Sequence, residues 1–175
     1  MEDPSKVARV ADRTIRVREV VDHDAELIKV VQDIDLLTFS EPTWSRYTMG
    51  LMLRHGRTFL LEMEGVVIGT CQVIRSFDRP GEAALFSMAI RPGYRNQGLG
   101  TCFLRGVIDR IRAAGFRSVV LEVDPGNLAA MHVYRTKFGF HEVGLLRGEY
   151  GPGHDRMQMR LVLEDRLGEV TKLPV

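Results

Sequence analysis

Little in this 175-residue sequence could staple, anchor or insert the chain: it has two cysteines, one tryptophan and no long apolar run. Cys71 and Cys102 lie far apart and neither has a Cys-x-x-Cys partner, which argues against a disulfide framework or a zinc ribbon. The five histidines, His23, His55, His132, His141 and His154, show no ligand spacing, so no metal is expected. Charge of one sign is missing too. The 24 basic and 23 acidic residues leave a formal charge of +1, and neither nucleic acid nor an anionic membrane is an expected partner. No apolar stretch reaches the ~18 residues of a spanning helix. Met1-Glu2-Asp3-Pro4-Ser5 is not a basic segment leading into an apolar one, so the expected location is cytoplasmic.

The length fits one domain of the usual ~100–200 residues. Such a domain buries roughly 70% of its unfolded surface and holds a core without covalent help. Residues 1–12 are polar and patternless and read as a flexible arm; residues 164–175 read as a tail; the domain is 13–163. Thr14 to Arg18 alternates as a strand does. Asp22 or Asp24 then caps a helix carrying Leu27, Ile28, Val31 and Ile34. Pro42 interrupts the pattern, and a shorter helix runs from about Trp44 to Arg54, stopped by Gly56. Thr58–Leu61 and Val66–Ile74 form a hairpin about Glu64-Gly65. Ala84 to Ile90 is apolar on both faces, as a covered central strand is. Leu99, Phe103, Val107 and Ile111 then mark a broad-faced helix ended by Gly115. Val119–Val123 is a further buried strand, and Asn127 caps a helix from Leu128 to Phe138. Two closing strands cover His141–Leu145 and Arg156–Leu163. The order β-α-α-β-β-β-α-β-α-β-β describes an α/β (mixed α+β) fold: one sheet with helices on it.

The segment Arg95-Asn96-Gln97-Gly98-Leu99-Gly100-Thr101 stands between a strand and a helix. Glycines there let backbone approach a ligand closely, and the free N–H groups and dipole of the helix favour an anion. No Lys-Ser/Thr follows Gly100, as a P-loop requires, and a third glycine for a dinucleotide fingerprint is missing. With Leu121-Glu122-Val123, Asn127 and Tyr134…Phe138-Gly139-Phe140 downstream, the chain resembles the GNAT superfamily of N-acetyltransferases over roughly residues 14–163. Its hallmark Gln/Arg-x-x-Gly-x-Gly/Ala is met by Arg95 through Gly100. Within that superfamily these residues are most similar to bacterial enzymes that acetylate the N-terminal alanine of a ribosomal protein.

The resemblance implies a mostly antiparallel mixed sheet, splayed where acetyl-CoA lies, with helices on both faces. It implies that the backbone of Met88, Ala89 and Ile90 meets the pantetheine arm and the thioester carbonyl. Arg95, Asn96, Gln97, Gly98, Leu99, Gly100 and Thr101 would cradle the pyrophosphate, and Asn127 would contact the pantetheine arm. Glu122 would be the general base, and Tyr134 the general acid beside the sulfur. Glu122 stands among valines and a leucine, where desolvation would make it more basic. A protein α-amine, with pKa ~7.7–8.0, is partly neutral at pH 7, whereas lysine at ~10.4 is not, so a single carboxylate suits an α-amine acceptor. Pro42-Thr43-Trp44 and Arg147-Gly148-Glu149-Tyr150 would wall that acceptor site. The expected activity is acetyl transfer from acetyl-CoA to a peptide or protein N-terminus by a monomer or homodimer. A small amine (antibiotic, polyamine or amino acid) as acceptor, or an acyl-CoA-binding sensor without turnover, are the alternatives.

Overall fold

The computed structural model describes residues 7–10, 13–22, 25–39 and 45–163. Its frame is an eight-stranded sheet in the order β1-β2-β3-β4-β5-β6-β8-β7. β1 (Val7–Val10) pairs antiparallel with β2 (Arg13–Glu19), which corrects the arm read at residues 1–12: four of those residues extend the sheet. The strand is set by a register with a separate segment, Val7↔Arg16 to Val10↔Arg13, which four residues by themselves do not announce. Residues 1–6, Asp24, Pro42-Thr43-Trp44 and the tail 164–175 lie outside the described residues.

Helix α1 (Ala25–Phe39) follows β2, and α2 (Arg46–His55) starts where the Ser45 hydroxyl accepts from Thr48 N–H at 3.1 Å. β3 (Arg57–Met63) turns into β4 (Val66–Arg75) at Glu64-Gly65, where φ of 50° and 80° gives the tight hairpin turn the sequence predicts. β5 (Glu82–Ile90) is followed by one 3₁₀ turn at Pro92–Tyr94 and by α3 (Leu99–Ala113). β6 (Ser118–Val123) lies parallel to β5, the one parallel pair among the described residues. α4 (Leu128–Val133) ends early: Tyr134–Phe138 forms a wider π turn closed by Gly139 at φ 79°. The single helix expected over 128–138 is therefore two geometries. β7 (His141–Leu146) and β8 (Arg156–Val162) complete the sheet, with β8 between β6 and β7.

Alternation decides the two faces. Val17, Phe59, Leu61, Val73, Leu85, Val119, Leu121 and Val123 point to one side, where Phe103, Leu104, Val107 and Ile111 of α3 and Met131 of α4 bury them. On the other side α1 and α2 bring Val31, Met49 and Leu53 onto Leu60. No helix among the described residues is long and apolar enough to cross a membrane.

Candidate active site

The site begins as a defect in the sheet. β5 and β6 pair only from Glu82↔Ser118 to Leu85↔Leu121. At that point the β4–β5 register shifts: Val73 faces Leu85 and Gln72 faces Ser87, leaving Phe86 as an extra residue. A bulge bends its strand. From Ser87 to Ile90, β5 stays with β4 but no longer with β6. Backbone groups on the open side of Met88, Ala89 and Ile90 are thus free of ladder partners, on a strand whose side chains are half-buried or buried. The expected splay is present, and a one-residue bulge marks where it starts.

At the foot of this opening is the glycine segment. Asn96 (φ 61°) and Gly98 (φ 75°) both take the left-handed conformation, and Gly98 is the N-cap of α3 with no side-chain capping bond. The first turn of α3 therefore presents its N–H groups outward, a ready-made anion site. A Cβ at Gly98 would meet nothing within 4 Å, and one at Gly100 only Ile90 Cδ1 at 3.7 Å and Met88 Cε at 3.9 Å. The fold itself does not need the space these glycines leave, which fits close approach of a phosphate. The side chains are otherwise engaged. Arg95 Nε donates to Ile90 O (2.9 Å) and its Nη2 to Thr38 Oγ1 (3.1 Å). Gln97 donates to Gly93 O (3.2 Å), and Leu99 is buried in the core. The neighbouring arginines are held as well: Arg91 by Val67 O, Arg110 by Val17 O and Gly106 O, Arg112 by Asp109. What the segment leaves open to a ligand is chiefly backbone N–H, since these guanidinium groups already have partners within the fold.

Glu122 follows Leu121, so the period of two turns it to the face opposite the α3 core. It is exposed, and the burial expected from its apolar neighbours is corrected: Val119, Leu121 and Val123 alternate away from it into the α3 core. One carboxylate oxygen accepts a hydrogen bond from the Tyr150 hydroxyl at 2.9 Å. The loop between β7 and β8 is thereby drawn to the mouth of the opening, with the Arg156 guanidinium 5.0 Å from the Tyr150 ring centre. Burial first, and then the bond to Glu122, push the Tyr150 phenol above its ordinary pKa.

Tyr134 is placed by the π turn, a geometry common at functional sites. Its ring packs 5.7 Å from that of Phe140, and burial, with the buried Cys71 thiol beside it, pushes its pKa up to about 12. Among the described residues its hydroxyl has no hydrogen-bond partner. A phenol held protonated at working pH suits a proton donor. Asn127 caps α4, accepting from Ala130 N–H at 3.2 Å, so its side-chain oxygen is engaged within the fold.

One group escaped the sequence reading. Asp35, in the middle of α1, is 2% exposed, and burial raises its pKa to about 6. Its position a turn after Val31, on the buried stripe of the helix, was the available signal.

Residues 27–140 match the model of the acetyltransferase (GNAT) family. The chain is 30% identical over 113 residues to the [ribosomal protein bS18]-alanine N-acetyltransferase of Escherichia coli (strain K12), covering 65% of this chain and 68% of that one. The crystal structure of the ribosomal-protein-S18-alanine N-acetyltransferase from Escherichia coli superposes with a TM-score of 0.70 at 24% identity, over 86% of this chain and 98% of that one. A GNAT family acetyltransferase from Elizabethkingia anophelis, solved with acetyl-CoA bound, gives 0.68 at 15% identity, over 85% and 98%.

Proposed function

Because the chain belongs to the acetyltransferase (GNAT) family and is an acetyl-CoA-dependent N-acetyltransferase, we propose that this opening acetylates the α-amine of a protein N-terminus, with a ribosomal-protein N-terminal alanine as the first acceptor to test. The observation that carries the reading is the parting of β5 from β6 beside the uncapped start of α3. It supplies strand backbone without ladder partners for a thioester arm and, one loop further along the chain, free N–H groups for its pyrophosphate.

In this reading the first turn of α3 and the Asn96–Gly98 loop hold the pyrophosphate through backbone amides. Backbone of Met88–Ile90 aligns the pantetheine arm and polarises the thioester carbonyl, a donor arrangement fixed before reaction. The neutral amine attacks that carbonyl; the N–C bond forms and the C–S bond breaks. Glu122, at the mouth of the groove, accepts the proton that the amine sheds. Tyr134 gives its phenolic proton to the departing sulfur, a transfer suited to a donor that stays neutral at working pH. Tyr150 and its loop flank the acceptor, and Asn127 holds α4 beside the arm.

A thiol-release assay tests the acceptor. Peptides with a free N-terminal alanine are expected to be turned over, and the same peptides blocked at the α-amine but carrying lysine are not. Turnover confined to a polyamine, an amino acid or an aminoglycoside would move the protein to small-amine acetylation. Tight acetyl-CoA binding without thiol release for any amine would make it a sensor.

A further inference from the structure

The layer between α1 and the sheet holds a set of polar atoms that the reaction above does not use. Register places Thr58 of β3, Gln72 of β4 and Ser87 of β5 in one line across three strands. Thr70 stands two residues from Gln72 on the same face. That face is the one under α1 and α2, since Leu60, two residues from Thr58, packs with Val31, Met49 and Leu53. Asp35 comes into this layer from α1, which lies across β4 and β5. Among the described residues, both Asp35 carboxylate oxygens, Thr58 Oγ1, Gln72 Oε1 and Ser87 Oγ are buried and lack a hydrogen-bond partner, and the one bond made inside the row runs from Gln72 Nε2 to Thr70 Oγ1, 3.0 Å.

Buried polar groups left unpaired are costly, and a row of them in one layer is the setting in which internal waters are bound. Apolar residues at these positions would pack at less cost. Asp35 is the only group of the row with a carboxylate to accept a proton. The near end of the row is Ser87, on the stretch of β5 that has left β6 and lies beside the reacting carbonyl in the reading above. Glu122 sits on the same face of the sheet, across the opening. We propose that Asp35 is a second, internal proton acceptor, reached from the acceptor amine through Ser87 and water held along the Gln72 row, and that it shares deprotonation with Glu122.

The balance is simple. As the amine attacks, its N–H bond breaks and the proton passes to the water nearest Ser87. A proton from the inner end of the file then forms an O–H bond on Asp35, and Asp35 returns it the same way once product has left. A carboxyl raised to about 6 by burial is neutral or charged within reach of neutral pH, which suits it to take a proton and give it back.

The inference rests on Glu122 as the outward acceptor, and a double-mutant cycle keeps the two ideas apart. Turnover of the best amine from the assay above is measured for wild type, Asp35→Asn, Glu122→Gln and the double variant, with acetyl-CoA affinity measured alongside. Two parallel routes predict that each single change lowers kcat by no more than about threefold, while the double change lowers it about a hundredfold or more, far beyond the product of the singles. Acetyl-CoA affinity stays within twofold throughout. A purely structural Asp35 gives the same fold-change in both backgrounds, or none, and overturns the proposal. If Glu122→Gln alone is silent while Asp35→Asn is not, the outward role of Glu122 fails and the sharing falls with it. Should Asp35→Asn not fold, Ser87→Ala interrupts the same path with Asp35 in place and is expected to show the same excess loss in the Glu122→Gln background; additive behaviour there overturns the relay.

Discussion

Single residues show where this fold accepts a cost. Asp35 ionises near pH 3.8 in an unfolded chain and at about 6 in the folded one. Below 3.8 it is neutral in both states. Between the two values the unfolded chain releases the proton and the folded one keeps it, so stability falls as pH rises and stays lower above 6. Two units correspond to about 3 kcal/mol at pH 7. Asp35→Asn is therefore expected to raise stability by about 1–3 kcal/mol at pH 7 and hardly at pH 4, in denaturant unfolding at the two pH values. Tyr134 has its own test. Tyr134→Phe keeps the ring against Phe140, so melting and acetyl-CoA affinity should be unchanged while kcat falls. An acetyl donor with a more acidic thiol should restore part of the rate, because its leaving group needs less protonation. Equal rates for the two proteins would leave Tyr134 with packing alone.

Among the elements, α3 carries the cofactor argument. Its helical spacing covers the sheet with Leu99, Phe103, Val107 and Ile111, and its first turn is left without a side-chain cap. Gly98 is a poor place to probe the groove, since φ 75° strains any side chain put there. Gly100 is better: an added methyl makes only ordinary contacts at 3.7 and 3.9 Å, and alanine is the better helix former. Gly100→Ala, which the hallmark itself admits, should thus melt no lower than wild type and keep its acetyl-CoA affinity, whereas Gly100→Asp sets a carboxylate against the pyrophosphate and should bind acetyl-CoA at least about tenfold more weakly in calorimetric titration. Equal affinity for Gly100→Asp would take the pyrophosphate away from this loop.

At the scale of the molecule, two half-sheets meet along a short parallel seam between β5 and β6. The closed end of that seam is pinned from β8. Arg160 reaches past β6 to Glu82 of β5 at 2.7 Å, Ser118 donates to the same carboxylate at 3.1 Å, and the Glu82 side chain is only 7% exposed. Removing Arg160 leaves this buried carboxylate with the Ser118 hydroxyl and the more distant Arg79 Nε at 3.9 Å, a loss of up to about 3 kcal/mol. Arg160→Met should lower the denaturation midpoint accordingly, and an unchanged midpoint would mean that the seam holds without this pair.

Much of this architecture is local and could be read from order along the chain. The period of two in β2 and β8, the spacing of four in α3, the Glu64-Gly65 turn and the caps at Asn127 and Gly139 each follow from neighbours a few residues away. The resemblance carried by Arg95–Gly100, Glu122 and Tyr134 likewise lies in contiguous motifs. What sequence order does not contain is a relation between distant segments. The bulge at Phe86 exists only against β4, the exposure of Glu122 depends on where β5 turns aside, and its bond to Tyr150 joins residues 28 apart. Glu82 with Arg160, and the row from Thr58 to Ser87 under Asp35, come from strands laid side by side. Periodicity says which face a residue takes; only the assembled sheet decides what stands across from it.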